Sequence, residues 1–118
     1  MIADADRGEH ACKRALHEQS KLGRCAQVAR GSSSGRLNRF LRGAGISTLI
    51  VTGGETEVCV LATVLGAIDR GYRVILVSDA VCSSSDPTHD AALRIYEARF
   101  GQQVETAPLA ELLDQWRV

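Results

Sequence analysis

Of the cysteines at positions 12, 25, 59 and 82, Cys59 stands where a thiol can act as a nucleophile. It lies in the stretch Ser47 to Asp69, STLIVTGGETEVCVLATVLGAID. Leu49, Ile50 and Val51 form a short β-rich run of strand length. The pair Gly53-Gly54 and the triplet Glu55-Thr56-Glu57 follow, and beyond Cys59 the residues Leu61, Val64, Leu65 and Ile68 recur at helical spacing. Cys59 is therefore expected near the first turn of a helix, straight after a tight turn that leaves a strand. Unpaired backbone N–H groups and the positive end of the helix dipole favour the thiolate there. Glu55 and Glu57 oppose it, since nearby negative charge disfavours a second anion. The same position suits a small buried packing residue, and the residues alone leave both readings open.

Other polar residues suit less specialised roles. Asp79 at a strand end and His89 at a helix start fit loop capping and helix N-terminal hydrogen bonding. Cys82 either lines a cleft or packs, and Ser83, Ser84 and Ser85 read as turn and cap residues. His10, Cys12, His17 and Cys25 match no compact zinc-finger spacing, so no metal site is expected.

The elements that must position Cys59 alternate in type. Leu37, Phe40 and Leu41 mark an amphipathic helix with Arg36, Arg39 and Arg42 on its wet side, stopped by Gly43 and Gly45. A strand over Thr48–Val51 comes next, then the Cys59 helix ending at Arg70-Gly71. Tyr72–Val77 reads as a second strand closing at Ser78-Asp79. Asp86 is placed as the N-cap and Pro87 as the first residue of a further helix, whose stripe runs through Ala91, Ala92, Ile95, Tyr96 and Arg99. Gln103–Thr106 reads as a third strand, and Pro108 opens a terminal helix through Leu109, Leu112, Leu113 and Trp116. Alternation of this kind implies an α/β fold of three layers, a mainly parallel sheet flanked by helices. Ligands of such sheets bind beyond the carboxyl ends of the strands. The turn from Thr52 to Cys59 and the loop from Asp79 to Asp86 are thus expected to border one cleft.

Composition bounds the function classes. The 118 residues allow one domain with a modest core, and 14 basic residues balance 14 acidic ones. Zero net charge gives no general argument for binding nucleic acid or an anionic membrane. No run approaches the ~20 apolar residues of a membrane span, and the start MIADADRGEH lacks a charged-then-apolar leader. A cytoplasmic location and reduced thiols are the corresponding expectations. Residues 1–34 carry weak periodicity and a Gly-Ser patch, so they are expected to be irregular or loosely attached, apart from a domain over 35–118. Thr52-Gly53-Gly54 invites comparison with a phosphate-binding turn. It lacks the third glycine of G-x-G-x-x-G and any Gly-Lys-Ser/Thr, and Glu55 and Glu57 would repel phosphate. A non-catalytic interaction module is the other alternative.

The segment Gly53-Gly54-Glu55-Thr56-Glu57-Val58-Cys59-Val60, with Ala62-Thr63 and Gly71-Tyr72-Arg73-Val74 behind it, resembles the cysteine hydrolases of the isochorismatase-like superfamily. The likeness spans roughly Gly35 to Trp116. It implies a three-layer α/β domain that hydrolyses small amides and related C–N bonds, such as nicotinamide and N-carbamoyl compounds, with an Asp–Lys–Cys triad and no cofactor. Carried over, Cys59 takes the nucleophile's place. The resemblance further implies a cis peptide at Gly54–Glu55, with the backbone N–H groups of Glu55 and Cys59 as the oxyanion hole. The lysine's place falls near Ala26. Lys13 and Lys21 sit in no matching motif, and Asp4 and Asp6 have no apolar strand ahead of them. A truncated or disrupted hydrolase with impaired turnover is therefore expected. Its uncovered sheet edge would favour homo-oligomerisation.

Overall fold

The computed structural model describes residues 35–116. Helix α1 (Gly35–Gly43) leads into β1 (Thr48–Gly54), a single π-helical turn (Thr56–Val60) and α2 (Leu61–Asp69). Then come β2 (Arg73–Cys82), α3 (Asp86–Phe100), β3 (Val104–Ala107) and α4 (Leu109–Gln115). The three strands form one sheet in the order β1-β2-β3, both pairs parallel. Parallel neighbours need long crossovers, which the π turn with α2 and then α3 supply.

Alternating side chains divide the core between the two faces of the sheet. On one face Val51, Val74, Leu76 and Val104 pack with Leu41 of α1, Val64 and Ala67 of α2, and Ala92 and Tyr96 of α3. On the other, Val77 and Ala80 pack with Leu109 of α4, with Ile50 and Leu112 beside them. Helices cover both faces, the expected layered arrangement. Tyr72 ties α1 to the start of β2 by donating its hydroxyl to Asn38 Oδ1 at 2.7 Å, with the Arg42 guanidinium over its ring. Arg73 of β2 meets Glu105 of β3 in a forked pair at 2.6 and 2.8 Å. Both side chains are more than half exposed, so the pair contributes only about 0–1 kcal/mol.

Several boundaries differ from the sequence expectation. Strand β2 continues five residues beyond Val77, so Cys82 ends a strand instead of sitting in a loop. It is buried. Strand β1 runs on through the glycine pair, with its register against β2 shifted between Val51 and Gly53. Ser85, not Asp86, is the N-cap of α3, and Asp86 is its first residue. On α2 the expected stripe residues Leu61, Val64 and Ile68 face the core together with Ala67, and Leu65 alone of the stripe is left at 36% exposure. In α3 the inward residues are Ala92 and Tyr96, and Ile95 faces out.

The glycine pair is required by geometry. Gly53 adopts φ +109°, a region that side chains rarely enter. A Cβ on Gly54 would stand 2.9 Å from the Cys82 carbonyl oxygen and 3.1 Å from its sulfur. Gly54→Ala is expected to cost about 1–3 kcal/mol through overpacking of β1 on β2. Gly43→Ala, which meets nothing within 4 Å, should stay within about 0.5 kcal/mol of the parent. Urea unfolding midpoints of the two variants check the contrast.

Candidate active site

Cys59 is presented by the π turn at the carboxyl end of β1. The Gly54–Glu55 peptide bond is cis, and Glu55 itself is extended before the turn begins at Thr56. The Glu55 carbonyl accepts the backbone N–H of Val58 at 3.1 Å and of Val60 at 3.0 Å, so the two neighbours of Cys59 are fixed by one oxygen. Thr63 donates its hydroxyl to the Cys59 carbonyl at 2.8 Å. The thiol itself is free and exposed.

All three residues ahead of Val58 are held by the segment that follows β2. Thr56 is fully buried. Its Oγ1 lies 2.8 Å from His89 Nδ1, and its carbonyl accepts the Tyr96 hydroxyl at 2.9 Å. Glu55 Oε2 accepts the Ser84 backbone N–H at 2.9 Å, the Ser83 hydroxyl at 2.9 Å and the Ser84 hydroxyl at 3.0 Å. Glu57 Oε1 accepts the hydroxyls of Ser83 and Thr88, each at 2.7 Å. Glu57 Oε2 is buried without a hydrogen-bond partner among the described residues.

These donors set the charge state of the turn. The Ser84 backbone N–H, followed by the Ser83 and Ser84 hydroxyls, holds the Glu55 carboxyl below its ordinary value, against burial and the charge of Glu57. The Ser83 hydroxyl does most to lower Glu57. Burial opposes it, while Thr88, the residue's own N–H and His89 assist. Burial, and then the Glu57 charge, pushes the Tyr96 phenol up to about 12, so it stays a donor to Thr56.

Of the residues the sequence singled out, Gly54, Glu55 and Cys59 share this turn, and His89 reaches it through Thr56. Asp79 is elsewhere. Its Oδ1 accepts the Leu109 N–H at 2.8 Å and so caps α4 on the opposite face of the sheet. Cys82 packs against Gly54. His10, Cys12, His17, Cys25, Lys13 and Lys21 lie outside the described residues. Among those described, no group of three or more His, Cys, Asp or Glu side chains is gathered to hold a metal, and no helix is long and apolar enough to cross a membrane. Sequence reasoning did not mark Thr56, Ser83, Thr88 or Tyr96 as partners of the turn.

Both glutamates titrate below their ordinary value of 4.5 in the fold. Their contribution to stability is therefore full above that value and is lost as pH falls through the lowered folded values. Stability measured by urea unfolding from about pH 6 to about pH 3 should drop at the acid end. The drop should be shallower in Glu55→Gln and Glu57→Gln.

Comparison with known proteins places this arrangement. The Isochorismatase domain model matches residues 29–108. The isochorismatase family protein YwoC of Bacillus subtilis is 35% identical over 75 residues, which is 64% of this chain and 40% of YwoC. The ureidoacrylate amidohydrolase RutB of Methylorubrum extorquens is 39% identical over 66 residues, 55% of this chain and 27% of RutB. Among solved structures, an isochorismatase-like hydrolase from Alkaliphilus metalliredigens superposes with a TM-score of 0.62 at 27% identity, over 69% of this chain and 43% of that one. The chain thus spans less than half the length of each of these relatives. A family match over most of the chain, on a parallel sheet whose first strand delivers a cysteine at its carboxyl end, shows that the chain belongs to the isochorismatase family.

Proposed function

We propose that this domain is of the cysteine hydrolase type, acting on small amide or other C–N bonds through Cys59. The observation that carries the proposal is the exposed free thiol on the turn after β1, with both neighbouring N–H groups fixed by the Glu55 carbonyl. The family membership and the amidohydrolase relative support the substrate class. In the proposed reaction the thiolate sulfur attacks the amide carbonyl carbon. The backbone N–H groups of Glu55 and Cys59 hold the oxyanion. The C–N bond then breaks, and the nitrogen leaves as ammonia or an amine with the thiol's proton. Water cleaves the thioester, releases the acid and restores the thiol.

The second half of the proposal is that turnover by this chain is weak. The described residues hold no lysine, so no ammonium group stands beside the thiol among them. A helix-end interaction alone favours the thiolate by only about 0.3–1 kcal/mol, less than one pKa unit.

An activated ester separates the two claims. With p-nitrophenyl acetate, the protein should give a burst of acylation at Cys59, located by peptide mass spectrometry and absent in Cys59→Ala. Ammonia release from ureidoacrylate or nicotinamide should fall far below the roughly 1–10³ s⁻¹ of ordinary enzymes. The absence of any burst would remove the nucleophile and favour a non-catalytic module. Amide hydrolysis at ordinary rates, lost in Cys59→Ala, would overturn the impairment.

A further inference from the structure

Ser83 has no part in the proposed chemistry, yet it is buried at 5% exposure directly after β2. Its hydroxyl lies 2.9 Å from Glu55 Oε2 and 2.7 Å from Glu57 Oε1. A serine hydroxyl has one proton to donate, so it cannot serve both carboxylates fully at once. Glu55 has two further donors in the Ser84 N–H and hydroxyl. Among the described residues, Thr88 is the other side chain besides Ser83 that donates to Glu57, and Thr88 also reaches the Ser85 carbonyl at 3.0 Å. Among the described residues, the hydroxyl of Ser83 is thus the group that touches both carboxylates, which would otherwise repel each other across Thr56.

We propose that Ser83 is a positioning residue for Cys59: by bridging Glu55 and Glu57 it fixes the turn that aims the thiol. The path is short. Ser83 and Ser84 anchor the Glu55 side chain, and the Glu55 carbonyl holds the N–H groups of Val58 and Val60 on either side of Cys59. Glu57, pinned by Ser83 and Thr88, stops the turn from swinging about that carbonyl. Loss of the bridge frees two neighbouring carboxylates to part, and the backbone donors around the thiol lose their alignment. The inference rests on the proposed role of Cys59, but it is read without turnover.

The test is the rate at which iodoacetamide alkylates Cys59 at neutral pH, followed by mass spectrometry of its peptide, with the melting temperature recorded alongside. Ser83→Ala should slow alkylation about two- to fivefold, the size of one helix-end interaction. Ser83→Thr, which restores the hydroxyl, should return the rate to that of the parent. A folded Ser83→Ala protein that is alkylated at the parent rate would overturn the proposal and leave the nucleophile reading, judged by the Cys59→Ala burst, untouched. Slowing that Ser83→Thr fails to restore, in a folded protein, would also overturn it. Should Ser83→Ala not fold, Thr88→Val removes the second hydroxyl on Glu57 at an exposed position. A smaller slowing is expected there, and an unchanged rate would count equally against the bridge.

Discussion

The turn carrying Cys59 is held from outside itself. Three consecutive residues, Glu55, Thr56 and Glu57, each bond to the stretch between Ser83 and Tyr96, through side chains and, at Thr56, through the backbone as well. A five-residue π turn is too short to be stable alone, since the cost of nucleating helical structure exceeds what one turn returns. The sheet supplies the missing rigidity. Strand β2 runs five residues past its expected end and delivers Ser83 beside β1, and α3 then brings His89 and Tyr96 against Thr56. Removing the extension of β2 would leave the turn without its hydroxyl donors.

Much of this fold is legible in the sequence because the core patterns are strong. The runs Leu49–Val51 and Val74–Val77 could only be strands beside glycine punctuation, and Pro87 and Pro108 mark the starts of α3 and α4. The early end expected for β2 has its cause in polar residues inside the strand. Ser78 and Asp79 read as the close of a strand, yet Asp79 sits within β2, where its carboxylate satisfies an orphan N–H at the start of α4. On α2 the stripe of Leu61, Val64 and Ile68 packs on the core as its spacing implies, and of the four residues only Leu65 is exposed.

The site was legible only in part, for a related reason. Glycines, a cysteine and an apolar helix carry their meaning locally, so the position of Cys59 could be argued from its neighbours. Thr56 could not. A threonine between two glutamates looks solvated, and it is fully buried because partners distant in the chain satisfy both of its oxygens. Ser83 looked like an ordinary turn residue for the same reason. Hydroxyl side chains state no direction in a sequence, and their role appears only when an acceptor is brought within 3 Å.

The reach of those bonds also bears on how the molecule comes together. The contacts that shape the Cys59 turn join residues separated by 28, 33 and 40 positions along the chain. Closing such spans is entropically unfavourable until the intervening strands have already condensed. The Cys59 turn is therefore expected among the last features to take its final place, and a nascent or partly denatured chain carries the thiol without the hydrogen bonds that hold its turn.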